Sequence, residues 1–223
     1  LFDLKFGSMA ARPDVAMGYA ACEAALQGNP IQEGNVGAGT GCTIGKIRGP
    51  QYAMKGGLVT CAYRQGDLMV GAVMACNAMG DVVEDGTILA GSRNDDNTGF
   101  AGTEEWLIQH GQRQRDIFSG KLVGENTVIG CVVTNAALNK AQAAKLAAVA
   151  QNGIARAVRP ANATFDGDSL FAMCHGTVPA DPDAVGILAA RAVEEAIRRG
   201  IRAAETLHGR PAWRDLPFVS QST

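Results

Sequence analysis

The chain has 223 residues, with 20 Lys and Arg against 22 Asp and Glu, for a formal net charge of −2 at pH 7. That balance leaves no basic footprint for nucleic acid and no polybasic patch for a membrane surface. A 47% hydrophobic, 19% charged composition is that of a soluble globular chain, and the length fits one domain with one sizeable core.

The first strong pattern, residues 13–27 (PDVAMGYAACEAALQ), predicts a helix with Pro13 near its first turn, rich in the small residues of a tightly packed helix. The chain begins Leu1-Phe2-Asp3 without an initiator Met and is already entering this helix by Asp14, which predicts an N-terminal truncation. There is no signal-peptide pattern at this start, and no run approaches the about 18 apolar residues of a membrane span.

Residues 34–45 (GNVGAGTGCTIG) form a glycine-rich loop. It fails the P-loop template, because Thr40 stands where the first glycine belongs and Ile47 follows Lys46. It fails the dinucleotide template as well, since the third glycine would fall at Cys42. Two readings stay open: a tight turn under a neighbouring backbone, or a loop whose N–H groups, at Gly37, Gly39 and Gly41, stabilise an oxyanion. Lys46 follows the loop, where the bland expectation is a solvated lysine at a strand start.

Strand-like runs come next at 57–64, 68–76 and 81–90, joined through Gly66-Asp67 and Gly80-Asp81. A polar loop covers 91–104, and 105–120 reads as partly helical. A strand is predicted over 127–134, a helix over 138–158 ended by Arg159-Pro160, a strand over 169–174 and a long helix over 181–207. Strands mixed with three helices predict a layered α/β or α+β domain, a single unit over 1–223.

The six cysteines, Cys22, Cys42, Cys61, Cys76, Cys131 and Cys174, show no C-x-x-C and no zinc spacing with histidine. Buried reduced thiols of a cytoplasmic protein are expected, with no metal and no cofactor. His110, His175 and His208 form no triad pattern, and there is no G-x-S-x-G elbow. Two features remain that can carry chemistry. Asp166-Gly167-Asp168 puts two carboxylates just before a strand: either an acidic turn or a pair that binds an amine or orients a hydroxyl. Asn126-Thr127 stands where a polar stretch meets an apolar strand. It is either an ordinary strand start or a self-cleavage point, whose freed Thr127 uses its own α-amine as general base.

The stretches GNVGAGTGCTIGKIRG (34–49), LMVGAVMACNAMGDVV (68–83), GENTVIGCVVTNAALNK (124–140) and ANATFDGDSLFAMCHG (161–176) together resemble the L-aminopeptidase/D-esterase (P1-type) peptidases. That family includes the β-peptidyl aminopeptidases and the nylon-oligomer (aminohexanoate-oligomer) endohydrolase. The resemblance implies a four-layer αββα sandwich like that of N-terminal-nucleophile hydrolases, with its N-terminal part missing here. It implies autocleavage between Asn126 and Thr127, giving the end of a large subunit (1–126) and a small subunit (127–223). Asn-Thr at the cut is as in the nylon-oligomer enzyme, where aminopeptidase members have Gly-Ser.

Carried over residue by residue, Thr127 is the nucleophile, Lys46 the lysine that keeps its amine neutral, Asn77 an oxyanion or positioning group, and Asp166 and Asp168 the carboxylates that orient the threonine. Small peptides or ω-amino-acid oligomers are the implied substrates, and a tetramer-like homo-oligomer the implied assembly. An aminopeptidase/esterase-only member, an acyl transferase like the ornithine acetyltransferases and an unprocessed non-catalytic relative are the alternatives.

Overall fold

In a computed structural model of the protein, residues 1, 3, 6–111, 126–164 and 166–219 are described. The first helix, α1 (Val15–Leu26), starts two residues after the predicted 13, its N-cap Asp14 accepting from the Met17 N–H and leaving Pro13 outside it. The tight packing expected of it is not found. None of its residues is buried, and Met17 and Tyr19 are 59% and 67% exposed. Its small side chains favour the helix by propensity alone, without a partner surface among the described residues.

The glycine-rich loop holds a 3-10 turn at Gly37–Gly39 and runs into β1 (Thr43–Ile44), which pairs antiparallel with β2 (Met54–Lys55). Then come β3 (Leu58–Gln65) and β4 (Leu68–Asn77), a hairpin turned at Gly66 with φ 60°. The run 81–90, predicted as one strand, is two: β5 (Asp81–Glu84) and β6 (Thr87–Ala90). Asp85 and Gly86 both have positive φ, 48° and 80°, the signature of a primed two-residue hairpin turn. The helix α2 (Thr103–His110) is anchored by the buried Asp81 carboxylate, which accepts from the Thr103 N–H and hydroxyl and from the Ser92 N–H. The expected partial helix over 105–120 thus begins two residues earlier, and its part beyond 111 lies outside the described residues.

Strand β7 (Thr127–Ala136) leads to α3 (Lys140–Ala157), opened by an Asn139–Gln142 capping box. The helix stops one residue short of prediction, because Val158–Arg159 form β8 and pair with β5. Strand β9 (Ser169–Val178) is longer than the predicted 169–174, and α4 (Pro182–Ala203) follows its N-cap Asp181 with Pro182 at the first helical position. It ends before the predicted 207, with Ala204 extended.

The main sheet has the order β3-β4-β7-β9, the first three antiparallel and β7-β9 parallel; a smaller sheet has the order β6-β5-β8. Alternate residues Val59, Val70, Ala72, Met74, Val128 and Val132 are at most 2% exposed and form one core with Ala150 and Ile154 of α3 and Ala189, Val193 and Ile197 of α4. The helices thus cover one face of the main sheet, the helix-on-sheet half of the expected sandwich. On the other face Met69, Val133, Phe171 and Met173 stay exposed among the described residues. The cysteines are all free: Cys42, Cys61 and Cys76 are buried as expected, whereas Cys22 on the unpacked α1 is exposed and Cys131 and Cys174 are half-buried. Among the described residues no helix is long and apolar enough to cross a membrane.

Candidate active site

Thr127 is the first residue of β7, as the sequence predicts, and its register partner on β4 is Asn77, the last residue of that strand. Paired residues share a face, so both stand at one end of the sheet on the side away from α3 and α4. The parallel bridge Asn126↔Asp166 brings the Asp166-Gly167-Asp168 turn against the same strand end. Four segments far apart in sequence therefore converge: the end of the glycine loop with Lys46, the end of β4, the start of β7 and the turn before β9.

The Asn126 carbonyl oxygen is the centre of this arrangement. It accepts the Thr127 hydroxyl at 2.6 Å and the Gly167 N–H at 2.9 Å. A Cβ at Gly167 would make a tight approach of 3.3 Å to Thr127 Oγ1 and an ordinary contact of 3.7 Å to the Asn126 oxygen. Asp168 grips the neighbouring backbone, accepting from the Val128 N–H at 2.7 Å and the Asn162 N–H at 3.0 Å. Its hold on Thr127 thus runs through the main chain, whereas the threonine hydroxyl itself is turned to the Asn126 carbonyl. Asp166 accepts from the Ala163 N–H at 3.2 Å. Burial and then the nearby Asp168 charge push its carboxyl up to about 6.

Asn77 is 1% exposed and its Oδ1 accepts from the Thr43 N–H at 2.9 Å, the Thr43 hydroxyl at 3.3 Å and Lys46 Nζ at 2.9 Å. Lys46 Nζ also donates to the Asn77 carbonyl at 2.8 Å. The bland expectation of a solvated lysine fails; this ammonium is committed to the residue opposite Thr127. Three donors on Oδ1 fix the amide, so its Nδ2 donor is turned away from Thr43 and Lys46.

The glycine loop has a packing task. The Gly39 N–H donates to Val36, and the Thr40 N–H to Gly37, within the 3-10 turn. A Cβ at Gly39 would collide with Gly34 and Leu58 backbone, and one at Gly41 with the Asp3 side chain. The N–H next to the site comes from Thr43, just beyond these glycines. Sequence reasoning passed over Thr43, Gly167 and Lys55. A glycine between two aspartates was the available signal for Gly167, and a lone lysine in an apolar run, AMKGGLV, was the signal for Lys55. Among the described residues no group of three His, Cys, Asp or Glu side chains is placed to hold a metal ion.

The family model for peptidase family S58 matches residues 1–213. An uncharacterized aminopeptidase of Mycobacterium leprae is 32% identical over 237 aligned residues, covering 96% of this chain and 62% of that protein. A 6-aminohexanoate-oligomer endohydrolase of Paenarthrobacter ureafaciens is 27% identical, covering 78% of this chain and 48% of that protein. Among solved structures, the L-aminopeptidase D-Ala-esterase/amidase of Ochrobactrum anthropi, described as a new variant of the Ntn-hydrolase fold, superposes with a TM-score of 0.52 at 25% identity. That match covers 82% of this chain and 48% of the other. The mixed α/β architecture is thus that of the Ntn-hydrolase aminopeptidases, and the chain spans less than two thirds of the length of these relatives.

Proposed function

Because the chain belongs to peptidase family S58, we propose that it forms the catalytic part of a self-processing amide hydrolase, cut between Asn126 and Thr127 and using Thr127 as its nucleophile. The observation that carries this is the Asn126 carbonyl, held by the Gly167 N–H with the Thr127 hydroxyl on the same oxygen. A backbone donor on a carbonyl oxygen is placed to stabilise the negative charge that develops there on attack.

In processing, Thr127 Oγ1 bonds to the Asn126 carbonyl carbon and the C–N bond to Thr127 breaks. The hydroxyl proton passes to the departing nitrogen. The resulting ester is hydrolysed by one water, leaving an Asn126 carboxylate, a free Thr127 hydroxyl and a new α-amine. Residues 1–126 and 127–223 then become the end of a large subunit and a small subunit. In turnover the same hydroxyl attacks a substrate amide, the α-amine takes its proton, and an acyl-enzyme ester forms and is hydrolysed. Lys46, on Asn77 opposite Thr127, places a positive charge that disfavours protonation of that amine. Asn77 supplies an amide donor to the oxyanion, and Asp168 fixes the Val128 end of the strand.

The substrates are small peptides or amide oligomers, taken by a homo-oligomer. The name of the Paenarthrobacter relative favours ω-amino-acid oligomers, and that of the mycobacterial relative favours cleavage beside a free N-terminus. Hydrolysis of 6-aminohexanoate oligomers against that of short α- and β-peptides decides between them. Intact-mass analysis tests the central claim. The wild-type protein yields a fragment beginning at Thr127, and Thr127→Ala stays one chain with no amide hydrolysis. A wild-type enzyme active without a new terminus at Thr127 overturns it.

A further inference from the structure

Among the described residues Lys55, at 0% exposure, is the largest fully buried side chain, and it has no carboxylate at ion-pair distance. Its ammonium donates instead to three backbone carbonyls, Cys42 at 2.8 Å, Gly56 at 2.9 Å and Gly39 at 3.1 Å. All three N–H bonds of the group are thus used, and all on the glycine loop or the start of β3's approach.

The Cys42–Thr43 peptide unit links this lysine to the site. Its carbonyl end takes Lys55 Nζ and the Gly56 N–H; its N–H end donates to Asn77 Oδ1. A peptide hydrogen-bonded at its oxygen is a stronger donor at its nitrogen, and its plane is fixed at both ends. We propose that Lys55 is a positioning residue of the hydrolase: as an ammonium it holds the Cys42–Thr43 peptide and so the Asn77 amide opposite Thr127. This rests on Thr127 being the nucleophile.

The groups that bear on Lys55 are few. Cys42 and Asp3 face it from the loop and the N-terminal segment, and the Phe6 ring lies 5.1 Å from Nζ. Burial pushes the Cys42 thiol up to about 12, so at neutral pH it presents no thiolate to pair with the lysine. Burial also lowers Lys55 to about 8, with Cys42 and Asp3 opposing the shift only in part. On losing a proton the amine keeps two N–H bonds for three carbonyls and becomes a weaker donor, so the hold on the peptide slackens as pH rises through that value.

The test is the alkaline side of the pH profile of the intact protein. Wild-type kcat and kcat/KM on a small amide substrate should fall together above about pH 8. Lys55→Met should lose about 10²-fold in kcat at pH 7, the scale of a misplaced site group, with KM little changed and the alkaline fall gone. Lys55→Arg, which keeps a charge and the donors, should recover part of that rate. Retention of the wild-type alkaline fall in folded Lys55→Met overturns the proposal. If the Met variant does not fold, NMR titration of 13C-labelled lysine in the wild type decides: the Lys55 signal should titrate at the midpoint of the activity loss, and a different midpoint overturns it. Amide hydrolysis by Thr127→Ala would instead sink the nucleophile assignment, whatever Lys55 does.

Discussion

On β4 and β7, Val70, Ala72, Met74, Val128 and Val132 point at α3 and α4 and are at most 2% exposed, whereas on the other face of the same strands Met69 and Val133 are 51% and 45% exposed. Asn77 and Thr127 belong to that second face, at its end. The period-two alternation of a strand makes this division of labour possible. One face is closed by aliphatic packing and carries stability; the other ends in polar groups brought together by three loops. A substitution on one face should therefore leave the property of the other unchanged, and this separation can be broken experimentally.

The largest effect is expected on the packed face. Ile197→Ala on α4, at 1% exposure, should cost about 2–5 kcal/mol of stability. Thermal unfolding would show it as a lower Tm, while intact mass, taken where the variant is still folded, should show the same cut before Thr127. Loss of the cut in folded protein would mean that the two faces are coupled.

Lys46→Met acts on the other face. Removing the positive charge should raise the pKa of the freed Thr127 amine and move the acid limb of kcat/KM to higher pH. Some loss at every pH is expected, since Lys46 also anchors Asn77. The position of the limb is the decisive quantity, and an unmoved limb would reduce Lys46 to a structural anchor.

The smallest effect concerns Asp166, whose carboxyl is held at about 6 against an ordinary value of about 3.9. A raised carboxyl favours the fold while protonated in it. That contribution is complete below about pH 4 and lost as pH rises through about 6. Asp166→Asn cannot ionise. Its Tm relative to wild type should rise between pH 4 and 7, by calorimetry. A constant difference would show that the carboxyl is not strained by its site.

Local signals were legible where neighbours in sequence decide the outcome. The strand runs over 68–76 and 127–134 and Thr127 at a strand start were legible in the chain, whereas the capping roles of Asn139 and Asp181 came only with the structure. The helix at 15–26 was legible too, but not its exposure, because helix propensity says nothing about whether a partner surface is present. The split of 81–90 was missed although Asp85-Gly86 is a strong turn pair, because the apolar residues on both sides read as one run. The family motifs named Lys46, Asn77, Asp166 and Asp168, and the turn and strand ends do bring all four near Thr127.

What the chain alone settled was therefore the identity of its polar residues and the periodicity of its elements, both set within a few positions. Tertiary structure decided which backbone groups serve them. Gly167 reaches the Asn126 carbonyl across 41 positions of chain, and Thr43 reaches Asn77 across 34. Two of the three carbonyls that saturate Lys55 are met only when the glycine loop folds over β2. Backbone N–H and C=O groups are chemically the same at every residue. Their part in a site is written in the closure of the chain and not in the letters of the sequence.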